Sequence, residues 1–319
     1  MINIIITDTH FGVKQNSMTW FNSQSDFIYK QLIPYIKNQS GYIRLIHMGD
    51  VFDSRSTISV YIANKVRQIF KDLSEVCDEI IVVAGNHDFY SPNSAEYDSL
   101  GLVLNDIVSV RLVRKESYFD GKNLFIPWYE WDNIDINSYN MIKNGEVENV
   151  FAHTNIVDTD PHIDESISVF SGHMHHPFFK DNRYNLGSCY ALDFSDSNSK
   201  RGFYILEDQT LTFIPNKYSI RFWRLYNDDI FKEHDINDWD YIELYINQSN
   251  MSREDYTLTI NEFTKKYKNV WVIPQASTNS NIDDVKFDGY DIESIISKSI
   301  PDDLMDKFDQ IKDIHNERF

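Results

Sequence analysis

The chain has 319 residues, 42% of them hydrophobic and 14% aromatic, which excludes a disordered polypeptide and leaves room for one large core with an appendage, or two domains. Its 49 acidic and 30 basic side chains give a formal charge of −19, the wrong sign for a protein that grips nucleic acid by bulk attraction. No apolar run approaches the roughly 18 residues of a membrane span. Cys77 and Cys189 are the only cysteines and lie outside every motif, so neither a disulfide framework nor a thiolate metal site is expected.

The amino terminus has only the short apolar stretch Ile4-Ile5-Ile6, with no basic region before it and Asp8 after it, so the expectation is a soluble, cytoplasmic protein without a signal peptide. Residues 2–7 read as a strand that stops at Asp8-Thr9-His10-Phe11-Gly12. Residues 14–23 are polar and read as loop, and 24–37 carry a helical pattern that Pro34 should kink or shorten. A second apolar run, 45–48, ends in Gly49-Asp50-Val51-Phe52-Asp53. Residues 59–73 then place Ile62, Val66, Ile69, Phe70 and Leu73 on one helical face. The run 80–84 is the most strand-like of all, with β-branched residues suited to burial on both faces, and it stops at Gly85-Asn86-His87-Asp88.

Alternating strands and helices predict an α/β sheet covered by helices, with ligands held where strand ends meet loops. From 108 to 128 the segments shorten, and Asp120-Gly121 is a hairpin signal. A second, more antiparallel sheet packed on the first is expected. Two further apolar runs end in His153-Thr154-Asn155 and in Gly172-His173-Met174-His175. Strands and turns continue to about residue 216. A small βαβ unit follows: strand 241–246, a helix over 252–268 with Ser252 as N-cap and Asp255 three positions on, and strand 270–273. After a polar linker at 279–284, Ile292, Ile295 and Ile296, then Leu304, Phe308 and Ile311, form two amphipathic patterns separated by Pro301.

Five strand ends thus supply Asp8, His10, Asp50, Asn86, His153, His173 and His175, with His87, Asp88 and Asp53 beside them. Imidazole, carboxylate and an amide oxygen suit manganese, iron or zinc better than calcium. Seven ligands exceed what one ion takes but suit two ions sharing a carboxylate, for which Asp50 is placed. Two ions about 3.5–4 Å apart are a known device for hydrolysing phosphate esters, lowering the pKa of water and clamping phosphoryl oxygens. No side-chain nucleophile is then needed, and Gly-x-Ser-x-Gly and Gly-x-x-x-x-Gly-Lys are both absent. His47, His162, His234 and His315 read as surface or satisfied polar residues, and His176 stays open. Among basic residues near the motifs, Lys14 and Arg55 are the candidates to meet substrate phosphates, with Lys180, Arg183 and Arg201 also near.

The order Asp-x-His, Gly-Asp, Gly-Asn-His-Asp, His, Gly-His-x-His over residues 8–175 resembles the calcineurin-like metallophosphoesterases. Within them, Asp8-Thr9-His10-Phe11-Gly12, Gly49-Asp50-Val51-Phe52-Asp53-Ser54-Arg55, Gly187-Ser188 and Arg201-Gly202-Phe203 look like the SbcD nucleases, which include the meiotic-recombination nuclease and phage recombination nucleases. The resemblance implies a four-layer αββα sandwich with a small βαβ capping domain and C-terminal helices. It divides the chain into a nuclease domain at 1–220, a DNA-recognition cap at 221–280, and helices at 281–319 that bind an SbcC-like coiled-coil ATPase.

It also implies one ion on Asp8, His10, Asp50 and His175 and another on Asp50, Asn86, His153 and His173, both manganese, with magnesium as the alternative. His87 would support the transition state or protonate the leaving group, and Asp88 would orient its imidazole by a hydrogen bond. The substrate would be DNA in recombination, repair or end processing, and the assembly a homodimer within a heterotetramer, in the host cytoplasm for a phage-encoded chain. Only 19 residues separate His153 from His173, so the loops shaping a DNA groove there are short. A phosphatase on the same site is disfavoured because such enzymes carry Gly-Asp-x-Val-Asp-Arg-Gly. A non-catalytic scaffold for the ATPase would account for the charge of −19 but not for the intact ligand set.

Overall fold

A computed structural model describes residues 1–91, 94–128, 141–155, 166–197, 199–226, 229–230, 232–247 and 252–275. The expected linker and C-terminal amphipathic segments, with His162 and His315, lie outside the described residues. By its own contacts the chain divides into one unit of Met1–Ile246 with Thr257–Ile273 and another of Asn247–Tyr256 with Pro274–Phe319. In the second unit Ser252 Oγ accepts the backbone N–H of Asp255 at 3.1 Å, so Ser252 caps the helix Arg253–Lys266 as its sequence predicts.

In chain order the strands are β1 (Ile2–Ile6), β2 (Ile43–His47), β3 (Glu79–Val83), β4 (Phe89–Ser91), β5 (Ser94–Asp98), β6 (Val110–Val113), β7 (Tyr118–Phe119), β8 (Asn123–Ile126) and β9 (Asn149–His153). They continue as β10 (Ser168–Gly172), β11 (Phe178–Lys180), β12 (Arg183–Asn185), β13 (Gly202–Glu207), β14 (Thr210–Pro215), β15 (Phe222–Tyr226), β16 (Tyr241–Asn247) and β17 (Asn269–Gln275). One six-stranded sheet has the order β14-β13-β1-β2-β3-β6, a second has β11-β12-β10-β9-β8-β7, and β15-β16-β17 form a small third sheet.

Period-two alternation sorts the apolar residues of the first sheet. Ile2, Ile4 and Ile6 of β1, Leu45 of β2, and Ile80 and Val82 of β3 lie in one core with residues of the helices Met18–Phe27, Val60–Ser74 and Ser99–Leu104. Their neighbours Ile5, Ile46, Ile81 and Val83 lie in a different core with Phe125, Phe151 and Phe170 of the second sheet. Leu124, Ile126, Val150, Ala152 and Val169 of that sheet turn the other way, onto Ile142 and Val147. Among the described residues the layers therefore run from helices through the first sheet to the second, with an aliphatic and aromatic seam between the two sheets.

Two expectations are corrected. The second sheet is not mainly antiparallel: β8, β9, β10 and β12 run parallel, and only its edge strands β7 and β11 are antiparallel. Burial on both faces suits parallel pairing, and β9 is buried along its whole length. The first helix also begins earlier, at Met18, because Trp20, Phe21 and Gln24 are buried along with Phe27. A π-helical turn over Ile28–Leu32 precedes Pro34, which sits in the first turn of the segment Ile33–Lys37, where its missing N–H costs least.

The intersheet seam contains a ladder. Phe125, Phe151, Phe170 and Tyr184 occupy one register on four adjacent strands. Their rings stack at 5.1, 5.1 and 4.9 Å with interplanar angles of 13°, 18° and 17°. Stacked pairs add about 0.5–1.5 kcal/mol each beyond the area they bury, so the ladder holds β8, β9, β10 and β12 in register, and with them the strand ends that carry His153 and His173.

Candidate metal centre

Because β1, β2 and β3 are parallel, their carboxyl ends open on one edge of the first sheet, and those of β9 and β10 on one edge of the second. Asp8 and His10 follow β1, Asp50 follows β2, Asn86 and His87 follow β3, His153 ends β9, and His173 and His175 follow β10. The two edges meet: the backbone N–H of His173 donates to Asp8 Oδ1 at 3.1 Å. Asp8, His10, Asp50 and His173 all have positive φ, between 44° and 79°, a costly conformation for residues other than glycine that gathers at functional sites. Gly49, at φ 98°, has no such cost, and a side chain on it would collide with His153 Nδ1; one on Gly85 would collide with Asp50 Oδ1.

Two donor groups result, Asp8, His10 and His175 in one and Asp50, His153 and His173 in the other, each with its donor atoms within 4.8 Å of one another. In the first, His10 Nε2 stands 3.2 Å from His175 Nε2 and 3.9 Å from Asp8 Oδ1. In the second, His153 Nε2 stands 3.3 Å from Asp50 Oδ2, while Asn86 Oδ1 lies 3.1 Å from His153 Nε2 and 2.8 Å from His173 Nδ1. Asp50 joins the groups. Its Oδ1 accepts the His87 N–H at 2.8 Å, and its Oδ2 lies 3.8 Å from His10 Nε2 as well as close to His153. Asp8, His10, Asp50, Asn86 and His153 are buried, while His87, His173 and His175 are partly exposed and form the open side.

Burial raises the Asp8 carboxyl above its ordinary range. Burial would also raise Asp50, but the facing His153, together with His10 and His87, holds it well below the usual carboxylate range. Against its own burial, the charge of Asp50 pushes His153 up to about 9. Burial lowers His10 to about 3 and His173 to about 4. The set therefore offers an ionised Asp50 carboxylate and, at His10 and His173, neutral imidazoles with a free lone pair, while at His153 a cation would have to replace the proton that Asp50 favours. Ligands about 2.0–2.2 Å from an ion stand roughly 3–4 Å from each other; the separations above lie in that interval apart from Asn86 Oδ1 to His173 Nδ1 at 2.8 Å, so these residues fit a pair of divalent cations.

The structure corrects the expected role of Asp88. Its carboxylate does not orient His87; it accepts the backbone N–H groups of Gly85 at 2.8 Å and of Asp50 and Val51 at 3.0 Å each, fastening the second motif loop to the third. His87 is oriented instead by the Asp53 carbonyl, which accepts from its Nδ1. Asp53 itself places Oδ1 3.5 Å from His10 Nδ1. Lys14 is exposed, 5.9 Å over the ring of Trp20, and partly offsets Asp53 and Asp193; Arg55 is partly exposed and makes no hydrogen bond or ion pair among the described residues. Arg201 cannot meet a phosphate, because it is buried, paired with Asp196, and donates to the His175 carbonyl.

Sequence reasoning passed over four supports of the site. Gln24 is buried and donates to the Thr9 carbonyl at 2.6 Å. Thr7 donates to Asp8 Oδ2. His47, read as a bland polar residue, holds Thr9 Oγ1 at 2.9 Å. Trp128 packs its ring 4.7 Å from that of His173. Gln24 carried a signal, a polar residue on the apolar face between Phe21 and Phe27; the others depend on contacts between distant segments.

The calcineurin-like phosphoesterase family matches residues 4–186, more than half of the chain. The chain belongs to that family. It is accordingly an enzyme of the metal-dependent phosphoesterase class. Exonuclease subunit 1 of Enterobacteria phage T4 is 27% identical over 225 residues, 66% of this chain and 66% of that protein, so the match spans just under two thirds of its relative. Among solved structures, the Pseudomonas putida nuclease MPE aligns at 17% identity with a TM-score of 0.31, over 60% of this chain and 70% of that one. Phosphopantetheinyl hydrolase (PptH) from Mycobacterium tuberculosis aligns at 12% identity with a TM-score of 0.30, over 58% and 89%. Scores this low say nothing about shared activity. Among the described residues no helix is long and apolar enough to cross a membrane.

Proposed function

We propose that the chain is the nuclease subunit of a two-metal DNA-cleaving complex, with Asp8, His10, Asp50 and His175 holding one ion and Asp50, Asn86, His153 and His173 the other. Manganese is the ion proposed, with magnesium as the alternative. When bound, such a pair lowers the pKa of water and takes up charge on phosphoryl oxygens. The observation that carries the reading is Asp50 Oδ2, within 3.8 Å of His10 Nε2 and 3.3 Å of His153 Nε2, a single carboxylate oxygen common to both donor groups.

The chain's own residues divide the remaining work. Asp50 Oδ1 is occupied by the His87 amide, which leaves Oδ2 for the shared position. His87 Nδ1 donates to the Asp53 carbonyl, so Nε2 is the ring atom left to face the leaving oxygen. Lys14 and Arg55, which follow β1 and β2 in the chain, are the residues proposed to meet flanking phosphates.

The 27% identity to a phage exonuclease subunit supports a nucleic-acid substrate and a partner subunit; DNA and an SbcC-like coiled-coil ATPase are the substrate and partner proposed. In this reading residues 1–220 are the nuclease domain, 221–280 the cap that recognises DNA and 281–319 the partner-binding helices, and the assembly is a homodimer within a cytoplasmic heterotetramer acting in recombination or repair. The charge of −19 favours supply of the main DNA grip by that partner.

The test compares manganese-dependent release of nucleotides from a labelled duplex with hydrolysis of p-nitrophenyl phosphate. Release of nucleotides supports the nuclease. Hydrolysis of the small ester alone makes the chain a phosphatase, and activity on neither, with or without the ATPase, makes it a scaffold.

A further inference from the structure

We propose that Trp128 is a positioning residue that sets the second donor group of the centre, acting on His173 and leaving the first group untouched. This rests on the reading above, in which the two donor groups hold two ions.

Trp128 follows β8 directly after Pro127, and its backbone N–H donates to the Ala84 carbonyl at 2.9 Å, one residue before the Gly85-Asn86 turn. Its place is therefore fixed by the end of β3. From there its indole lies 4.7 Å from the His173 ring at 35° and 6.1 Å from the His153 ring at 71°. His153 approaches His173 at 5.3 Å and 74°. The imidazole of His173 thus has the indole and a second imidazole for neighbours, and its Nδ1 meets Asn86 Oδ1 at 2.8 Å.

His173 needs such support more than the other ligands. It has the largest positive φ of the four left-handed site residues, 79°, and its side chain is only partly buried, so core packing alone does not restrict the ring. An aromatic wall against it removes rotamers that point Nδ1 away from Asn86. The first group is built otherwise: His10 packs edge-on against His87 and His175, both at 5.0 Å, and no indole touches it among the described residues. Loss of the indole should consequently weaken one ion and not both. Residues that orient a metal-binding imidazole change metal affinity by about 10–100-fold when removed.

The experiment titrates manganese into the chelator-treated full-length chain by calorimetry, for wild type, Trp128→Phe and Trp128→Ala, and follows tryptophan fluorescence in parallel. Wild type should take up two equivalents. Trp128→Ala should keep one unchanged and weaken the other about 10–100-fold, while Trp128→Phe, which retains a ring, should stay close to wild type. The fluorescence difference between wild type and Trp128→Phe isolates this indole from the other five and should change as the second equivalent binds. A wild type that binds fewer than two ions sinks the two-metal reading itself. Two ions in wild type with Trp128→Ala either indistinguishable or weakened alike at both equivalents overturns the positioning role alone. Should Trp128→Ala not fold, a difference spectrum indifferent to the second equivalent overturns it equally.

Discussion

The carboxylate of Asp88 accepts the backbone N–H of Asp50 through one oxygen and that of Val51 through the other, both at 3.0 Å. Gly85 donates to the first oxygen at 2.8 Å. A fully buried side chain thus serves as a staple between two motif loops, and its contribution lies in stability and loop position rather than proton transfer.

Asp88→Ala should therefore leave four buried amides without an acceptor, those of Gly85, Asp50 and Val51 and, at 3.4 Å, that of Phe52. At about 1–3 kcal/mol for each group left unsatisfied, a loss of roughly 3 kcal/mol or more is expected, with manganese affinity falling alongside it. Asp88→Asn, which keeps one acceptor oxygen, should fall between. Urea unfolding checks this, and a variant as stable as wild type but slow in hydrolysis would return Asp88 to a role in proton transfer.

His87 should behave in the opposite way. It stands outside both donor groups and is held through Nδ1, so His87→Ala should fold, bind two ions and lose about 10²–10⁴-fold in hydrolysis. Asp50→Ala should lose the ions as well, because its Oδ2 faces both groups. Calorimetry beside a rate assay separates the two variants; normal cleavage by His87→Ala would end the assignment.

Much of this centre is legible in the sequence, for a physical reason. Runs such as Ile80-Ile81-Val82-Val83 have one stable fate, a strand buried on both faces, and the polar residues that end them must then gather where parallel strands end. The supports are less legible because they join positions whose spacing carries no period: His47 meets Thr9 across 38 residues, and Arg201 meets His175 across 26. The aromatic ladder was hidden similarly, since Phe125, Phe151, Phe170 and Tyr184 become neighbours only after the strands pair in parallel. Asp88 was misread because adjacency in sequence suggested a contact with His87, whereas the turn after Gly85 aims its carboxylate back at the loop after β2.

Arg201 gives a third prediction. Its guanidinium is buried, paired with the equally buried Asp196, and donates to the carbonyl of His175. Arg201→Met removes a cation and leaves the buried Asp196 with only the Leu192 amide and His176 as partners among the described residues, a loss that costs up to about 3–5 kcal/mol. It also frees the His175 loop, so one of the two manganese equivalents should weaken. Arg201→Lys should rescue little, since one ammonium cannot reproduce the fork that reaches both acceptors. If Arg201→Met is as stable as wild type and loses only DNA binding, the residue is a phosphate contact after all.

The fourth prediction concerns His47 and pH. Thr9 Oγ1 donates to the Val51 carbonyl at 3.1 Å, so it accepts from His47 Nε2–H at 2.9 Å, and His47 Nδ1 is left buried with no partner among the described residues. Burial, reinforced by the charge of His153, pushes this imidazole down to about 3. An unfolded histidine titrates near 6.5. The folded value is the lower one, so below about pH 6.5 the unfolded chain binds a proton that the folded chain refuses. The stability that a neutral His47 allows is complete above that pH and drains away as pH falls toward 3, by up to roughly 1.4 kcal/mol per unit. His47→Gln keeps a donor for Thr9 and removes the titration. Comparing urea midpoints of the two proteins between about pH 7 and pH 5 should therefore show wild type losing stability faster, with the gap closing or reversing on the acid side. Parallel curves would mean that the folded protein accommodates a charged His47, and that the Thr9 contact does not require the neutral ring.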